Sequence, residues 1–184
     1  ARNYFFNRST NFIIMHWYFH YLYGIHKKKR VLLNSYFFYI IKFKYYFMKF
    51  KSTSFKINSN KPFEIIDITN KINQEIASFG ANEGIVNIFS KHSTSAIVVN
   101  ENETGLLKDL EFTLSNLISD EYSYQHDKIY NNASAHLKSF LLSSSETIPI
   151  KDSKLDLGTW QSVFFIELDG PRNSRNVSLA IIFE

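Results

Sequence analysis

The stretch LDLGTWQSVFFIEL, residues 155–168, joins an apolar strand signal to four residues that a plain core strand does not need. Its second half is rich in aromatic and branched side chains, which favour a buried β-strand. Gly158, Thr159, Trp160 and Gln161 precede that strand and provide a flexible turn, a hydroxyl, an indole and an amide. The stretch therefore predicts a core strand with a functional turn at one end.

Strand and helix signals continue on both sides of this stretch. Alternating or continuously apolar runs predict strands, and apolar residues at helical spacing predict helices. The predicted strands are STSFKIN and PFEIIDI, which are expected to form a hairpin, then EGIVNIFSKH, SAIVVNE, ETIPI, WQSVFFIEL and NVSLAIIFE. The predicted helices are ITNKINQEIASFG, with Thr69 as its N-cap, ETGLLKDLEFTLSNLI and NNASAHLKSFLL. We predict an α+β fold with a mixed, mainly antiparallel sheet and helices packed on one face.

The first 47 residues differ in composition from the rest of the chain. Phe, Tyr, Ile, Asn and Lys dominate there, and the segment contains no Asp or Glu and no lasting strand or helix period. Three interpretations stay open. The first is a membrane anchor, although the apolar run is shorter than the about 20 residues that a spanning helix needs. The second is a targeting segment. The third is translated non-coding sequence ahead of a true start at Met48. We favour the last, which predicts a domain over residues 48–184 and a cytoplasmic location if Met48 is the start.

Composition excludes a few classes of function. The chain of 184 residues is 45% hydrophobic and long enough to bury one sizeable core. It contains no cysteine, which excludes a disulfide framework, a thiolate metal site and a thiol nucleophile. The formal charge of +4 reflects eight lysines and arginines within residues 27–51. Because this excess is local, we expect no nucleic-acid partner, and no membrane association for residues 48–184.

A first polar cluster brackets the predicted strand SAIVVNE. His92, Ser93 and Thr94 precede the strand, and Asn100 and Glu101 end it. This pattern is more polar than strand propensity selects. Strand ends present side chains to clefts, so these five residues are candidates for a functional site. The Asn and Glu that come next are equally well explained as the start of the following helix.

A second cluster contains two histidines. His126 and His136 lie ten positions apart, with Asp127 and Asn132 between them. Imidazoles from a loop and from the start of a helix can converge on one metal ion, and a carboxylate can orient such a ring. The spacing matches no strong zinc signature. On spacing alone, two unrelated surface or capping histidines are favoured over a metal pair.

The turn at residues 158–161 suits a planar, phosphorylated ligand. Gly158 allows close approach to the backbone, and Thr159 offers a hydroxyl to an anion. Trp160 can form the wall of a pocket for an aromatic ring, and Gln161 both donates and accepts hydrogen bonds. Arg172 lies in a later turn, where it either clamps a phosphate or remains a surface residue. For Gly-Thr-Trp alone, a β-bulge with a core Trp is the commoner outcome.

In order along the chain, these motifs resemble the YjbQ-like family, whose members are described as secondary thiamine-phosphate synthase enzymes. The resemblance runs from about Ser52 to Glu184 and leaves out the first 47 residues. The matching blocks are His92-Ser93-Thr94-Ser95-Ala96, Asn100-Glu101-Asn102, His126-Asp127, Asn131-Asn132-Ala133, His136-Leu137, Ile148-Pro149, Leu157-Gly158-Thr159-Trp160-Gln161 and Arg172.

The resemblance implies a YjbQ-like α+β subunit that assembles as a homotrimer, with sites at or near the subunit boundary. It also implies weak thiamine-phosphate synthase-type activity, in which a pyrimidine diphosphate is joined to a thiazole phosphate with release of pyrophosphate. A divalent metal ion, zinc, magnesium or manganese, is expected to assist. The alternative is a non-catalytic trimeric protein that binds a phosphorylated small molecule.

The resemblance further implies roles for individual residues. The catalytic candidates are His92, Glu101, His126 and His136, and the three histidines are also the candidate metal ligands. The substrate-binding candidates are Ser93, Thr94, Asn100, Asn132, Gly158, Thr159, Trp160, Gln161 and Arg172. Three positions depart from the family pattern: Ser134 stands where many members have another histidine, and Ser143 and Ser153 replace usual glycines. The first change removes a potential ligand, and the other two place a side chain in a turn.

Overall fold

The computed structural model describes residues 48–184, so the interpretations of residues 1–47 lie outside the described residues. The strands are β1 Lys49–Ile57, β2 Glu64–Asp67, β3 Gly84–Ser90, β4 Ser95–Glu101, β5 Ser145–Lys151, β6 Lys154–Leu155, β7 Gln161–Glu167 and β8 Arg175–Phe183. The helices are α1 Thr69–Ser78, α2 Thr104–Leu117 and α3 Ala133–Leu142, with a 3₁₀ helix at Gln125–Lys128. None of the helices described here is both long enough and apolar enough to span a bilayer.

The strands form two antiparallel sheets, which confirms the predicted α+β class. One sheet has the order β1-β8-β3-β5-β6, and the other has the order β2-β7-β4. The predicted hairpin of β1 and β2 is wrong, because β1 pairs with β8 and β2 pairs with β7. Between the two strands, the amide of buried Ser59 donates to the carbonyl of Arg172 at 2.9 Å. This bond helps to direct the chain from one sheet into the other.

The main hydrophobic core lies between the two sheets. Successive side chains of a strand point to opposite faces, so every second residue enters this layer. Val177, Leu179 and Ile181 of β8 and Val163 and Phe165 of β7 are almost completely buried there. The core therefore depends on the alternation within β8 and on the apolar run of β7.

Helix α1 closes the open side of the larger sheet. The Lys71 ammonium donates to the carbonyl of Lys56 in β1, and the Asn73 side chain accepts from the amide of Leu155 in β6. These strands are the two edges of the five-stranded sheet, so the sheet curls until both edges meet one helix. Thr69 does not act as the expected N-cap, because its hydroxyl accepts from the Val163 amide of the smaller sheet at 2.9 Å.

Helices α2 and α3 cover the outer face of the smaller sheet, as predicted for helices packed on one face. Buried Phe164 and Ile166 of β7 form a second apolar cluster there, with Leu107 and Leu110 of α2 packed against it. On α3, the Ser139 hydroxyl donates to the carbonyl of Ser95 at 2.8 Å. This contact fixes α3 beside the start of β4.

Candidate functional site

A cavity of about 550 Å³ opens beside the start of β4. It lies between the loop that joins β3 to β4 and the outer surface of α3. Its lining is rich in basic and hydroxyl side chains, and no carboxylate is among the described residues that line it. The lining residues are Phe89, Ser90, Lys91, His92, Ser93, His136, Ser139, Phe140, Ser143 and Ser144. Such a lining suits an anionic ligand.

The predicted histidine pair meets at the edge of this cavity. The ring centroids of His126 and His136 are 4.9 Å apart, with the planes inclined at 74°. Asp127 fixes the segment that carries His126, because its carboxylate accepts from the amides of Tyr124 and Ala133. The second of these bonds joins the 3₁₀ helix to the first residue of α3. The structure thus brings together two imidazoles that the sequence separates by a loop.

His92 lies in the same cavity lining, but one of its nitrogens is already engaged. Its Nε2 accepts the backbone N–H of Asn176 at 2.7 Å. An amide is always a donor, so the imidazole is neutral and carries its proton on Nδ1. Burial lowers the pKa of His92, the positive charge of Arg175 lowers this pKa further, and Glu167 opposes the shift. His92 therefore presents an N–H donor, and its Nε2 lone pair is not free for a metal ion.

A buried ion pair supports the loop of His92, and the sequence analysis missed it. Glu167 is fully buried, and both of its oxygens accept from the Arg175 guanidinium. Arg175 also donates to the hydroxyl of Thr94 at 3.1 Å, so Thr94 is buried beneath the site. A glutamate at the end of the apolar run VFFIEL was the available sequence signal, since buried charges are almost always paired.

Asn132 and Arg172 both donate hydrogen bonds to the carboxylate of Asp169. The Asn132 amide donates to Asp169 at 3.1 Å, and the Arg172 guanidinium donates to the same oxygen at 2.8 Å. Asp169 raises the pKa of Arg172 through this bond and its charge. Asp127 and Asp169 line a second, smaller cavity of about 180 Å³. The buried Oδ1 of Asn132 has no hydrogen-bond partner among the described residues.

Ser134, which stands where the resemblance predicts a histidine, lines the smaller cavity together with Asp120. The carboxylate of Asp120 accepts from the buried ammonium of Lys138 at 2.9 Å. Burial acts to raise the pKa of Asp120, but the neighbouring Ser134 hydroxyl and Lys138 ammonium outweigh it and lower that pKa. The bond from Lys138 thus fastens α3 to the start of the segment that follows α2.

The remaining candidates lie at the opposite end of β4. Glu101 pairs with Gln161 across the sheet, and Asn100 accepts the amide of Glu101 through its side chain. The turn before β7 is closed by two bonds between Gly158 and Gln161, one through the backbone and one through the Gln161 side chain. Thr159 is exposed at this turn, and the Trp160 side chain is 72% exposed.

The predicted site residues thus form two groups in one subunit. Strand β4 separates them by six residue steps from Ser95 to Glu101, which corresponds to about 20 Å at about 3.3 Å per residue. His92, Ser93, His126 and His136 lie at one end, near Asn132 and Arg172. Residues 158–161 lie at the other end, with Asn100 and Glu101. Within residues 48–184, no three His, Asp or Glu side chains form a group suited to a metal ion.

The fold and the site define an α+β protein of two antiparallel sheets with a histidine-lined cavity at one end of the smaller sheet. The family described as UPF0047 protein YjbQ-like matches residues 53–184. The chain belongs to this YjbQ-like family, which confirms the resemblance seen in its motifs.

Relatives and solved structures agree with this assignment. A UPF0047 protein of Methanothermobacter thermautotrophicus is 47% identical over 135 residues, which cover 73% of this chain and 94% of the relative. A YbjQ-like protein of unknown function from Sulfolobus solfataricus P2 has 37% identity and a TM-score of 0.73, over 75% of this chain and 100% of that one. An uncharacterised YjbQ/UPF0047 protein of Clostridium acetobutylicum has 33% identity and a TM-score of 0.64, over 71% and 98%.

Proposed function

We propose that the chain is an enzyme with weak thiamine-phosphate synthase-type activity, which joins a pyrimidine diphosphate to a thiazole phosphate and releases pyrophosphate. The cavity beside β4 is the observation that supports this best. Its basic and hydroxyl lining suits phosphate oxygens, and its volume of about 550 Å³ lies in the ordinary range for small-molecule sites.

The groups of the cavity favour departure of the pyrophosphate. In the proposed reaction, the bond between the pyrimidine methylene carbon and the diphosphate oxygen breaks, and its electron pair leaves with the pyrophosphate. The ring nitrogen of the thiazole then donates its lone pair to that carbon. The Nδ1–H of His92, the hydroxyl of Ser93 and the ammonium of Lys91 offer donors to the departing anion.

A divalent metal ion is part of the proposal, as zinc, magnesium or manganese, and would supply further positive charge to the departing pyrophosphate. His126 and His136 fit a partial ligand set, because their rings adjoin at the cavity edge. The Nε2 of His92 and both oxygens of Asp127 already accept backbone N–H groups, so the proposed ligand set does not include these atoms. Such a site would leave coordination positions for water and phosphate oxygens.

Trp160 and Glu101 lie at the other end of the smaller sheet, and each has a role in the proposed reaction. The indole would stack on the pyrimidine ring, and the carboxylate of Glu101 would manage a proton. Because this end is about 20 Å from the histidine cavity, at about 3.3 Å per strand residue, both groups cannot serve one ligand within a subunit. The proposed homotrimer, with sites at or near the subunit boundary, removes this difficulty.

A non-catalytic trimeric protein that binds a phosphorylated small molecule is the second candidate. Two observations favour it. Ser134 stands where the resemblance predicts a histidine, so the chain lacks one candidate imidazole ligand at this position. Arg172 is already paired with Asp169, so its charge is partly neutralised before any phosphate binds. Both features lower the expected catalytic power without affecting the cavity itself.

The test is product formation from the two thiamine precursors, with and without added metal, by the full chain and two variants. His136→Ala removes a cavity imidazole, and Phe112→Ala removes an exposed ring of α2 as a matched control. We expect His136→Ala to lower both product formation and bound metal by at least about tenfold, with an unchanged circular dichroism spectrum. The control should match the parent chain in each measurement.

Two results would count against this assignment. Binding of both precursors without product, at any metal concentration, would favour the binding protein over the enzyme. Metal content that stays unchanged in His136→Ala would remove His136 from the ligand set.

A further inference from the structure

Two nearly buried serines form part of the floor of the cavity beside β4, and their hydroxyl protons are already used within the protein. Ser90 and Ser139 line this cavity and are only 1% and 8% exposed. The Ser139 hydroxyl donates to the carbonyl of Ser95 at 2.8 Å. A carbonyl only accepts and a hydroxyl has one proton, so the Ser139 oxygen offers a ligand nothing but lone pairs.

The same conclusion holds for Ser90, through a short chain of hydroxyl groups. The hydroxyl oxygens of Ser90 and Ser95 are hydrogen-bonded to each other, and the Ser95 hydroxyl also donates to the carbonyl of His92 at 3.2 Å. Because that bond uses the single proton of Ser95, the proton between the two serines belongs to Ser90. Among residues 48–184, no group donates to the hydroxyl oxygen of Ser90 or Ser139.

The mouth of the cavity has the opposite hydrogen-bonding character. Neutral His92 offers its Nδ1–H, and Lys91 offers an ammonium group that has no lone pair. Lys91 and Ser93 are exposed and His92 is half-buried, so these donors lie closer to solvent than the two serine oxygens do. The cavity therefore has donors at its mouth, which suit an anion, and acceptors on its floor, which suit an N–H group.

The two acceptors match an amino group carried by a planar ring. An amino group conjugated with a ring has two N–H donors, one for each hydroxyl oxygen. The side chains of Phe89 and Phe140 provide apolar walls for such a ring. An acceptor group of the ligand, placed on the floor, would instead face the lone pairs of both serines and leave buried polar atoms unpaired.

We propose that Ser90 and Ser139 determine the specificity of this cavity, by accepting hydrogen bonds from an exocyclic amino group on the ring of the phosphorylated ligand. Lys91 and His92 donate to its phosphate oxygens. The proposal rests on the proposed function for the phosphorylated ring, and it adds which group of that ring the protein recognises. Since it concerns binding, it can be tested without any turnover.

Two ligands that differ in one group test the proposal. The probes are the pyrimidine diphosphate with an exocyclic amino group and its desamino analogue, which has a hydrogen atom at that position, each titrated into the full chain by calorimetry. We expect the amino compound to bind at least about tenfold more tightly, because the analogue leaves two buried acceptors unpaired. Equal affinities, or no binding of either compound, would overturn the proposal.

A pair of variants separates the floor of the cavity from its mouth. Ser139→Ala removes one acceptor, so the preference for the amino compound should fall several-fold while the affinity for inorganic pyrophosphate stays that of the parent chain. Lys91→Met is the matched control, which should weaken pyrophosphate and both pyrimidine compounds alike and keep the preference. If Ser139→Ala weakens pyrophosphate as much as the amino compound, the assigned role is wrong. The comparison of the two compounds on the parent chain decides the question if this variant does not fold.

The result for binding is distinguishable from the result for catalysis. A clear preference for the amino compound without product formation would contradict the proposed catalysis and support the role of the two serines. Equal binding of the two compounds beside efficient product formation would contradict the role of the serines and leave the catalysis supported.

Discussion

Several non-glycine residues of this chain have positive φ angles, a backbone conformation that favours glycine. Asp152 and Ser153 have φ angles of 51° and 61°, and together they form the two-residue loop between β5 and β6. Positive φ at both central positions is the mark of a type I′ turn, for which Asp-Gly is a preferred pair. Ser143, at the end of α3, has a φ of 71°. Glycine adopts these backbone conformations without the steric cost of a Cβ atom, which is consistent with the glycines that the resemblance predicts at positions 143 and 153.

Ser153→Gly should stabilise the protein. The change removes the steric cost of a left-handed residue that carries a Cβ atom, about 1 kcal/mol. The expected result is a higher urea midpoint with an unchanged dependence on urea concentration. Ser153→Ala is the control, because it keeps the Cβ atom and loses only the 3.3 Å contact of the hydroxyl with Asn82. A midpoint that falls in the glycine variant would contradict the assigned strain.

At the scale of elements, the start of α2 is fixed by one carboxylate. The sequence left the first residue of this helix open between an Asn and a Glu. In the structure, Glu103 is the N-cap, and its two oxygens accept from the amides of Gly105 and Leu106 at 2.7 Å each. These two bonds lower the pKa of Glu103, and the nearby charge of Lys108 adds to the effect. The side-chain amide of Asn102 instead donates a hydrogen bond to the carboxylate of Asp67.

The lowered pKa of Glu103 predicts how the stability of α2 depends on pH. A carboxyl group whose pKa is lower in the folded state stabilises the protein above its unfolded pKa, and this contribution is lost as the pH falls through the folded pKa. Glu103→Ala should therefore lower the thermal midpoint at pH 7, and its difference from the parent chain should shrink as the pH falls below about 4.3. Glu111→Ala, elsewhere on the same helix, is the control. A constant difference across this pH range would contradict the capping role.

At the scale of the whole molecule, the two sheets are joined through a buried ion pair. Glu167 belongs to β7 of the smaller sheet, and Arg175 belongs to β8 of the larger one. The carboxylate also accepts from the Ser59 hydroxyl at 3.0 Å and from the amides of Leu168 and Asp169. These bonds compensate for the desolvation of the carboxylate. The same pair lies beneath His92, so sheet packing and site geometry depend on one network.

Arg175→Met should destabilise the fold by about 3–5 kcal/mol, because it leaves the Glu167 carboxylate buried without its partner. Urea unfolding measures this loss. The matched control is Arg172→Met, whose exposed pair with Asp169 should contribute at most about 1 kcal/mol. Adding Glu167→Leu to Arg175→Met should recover much of the stability, since no unpaired charge then remains. Equal effects of the two arginine variants would contradict a special role for the buried pair.

Local pattern alone was enough to predict the class of the fold and most of its elements. The alternation in NVSLAIIFE and the leucine spacing of α2 depend only on neighbouring residues, and each is found where the pattern predicted it. The motif order was likewise sufficient to predict the family.

Only the tertiary structure decided which strands pair and where the polar clusters lie. The short turn after β1 favoured a hairpin, but the choice of partner depends on residues more than 100 positions away in β8. Likewise, nothing local to His92 shows that the amide of Asn176 occupies its Nε2. The periodicity of a segment indicates which of its faces is buried. Strand pairing and hydrogen-bond partners depend instead on distant segments, which compete for the same strand edges and the same N–H donors. For that reason the sequence determined the elements of this protein, and the antiparallel pairing of β4 with β7 decided that the histidines and residues 158–161 lie at opposite ends of one subunit.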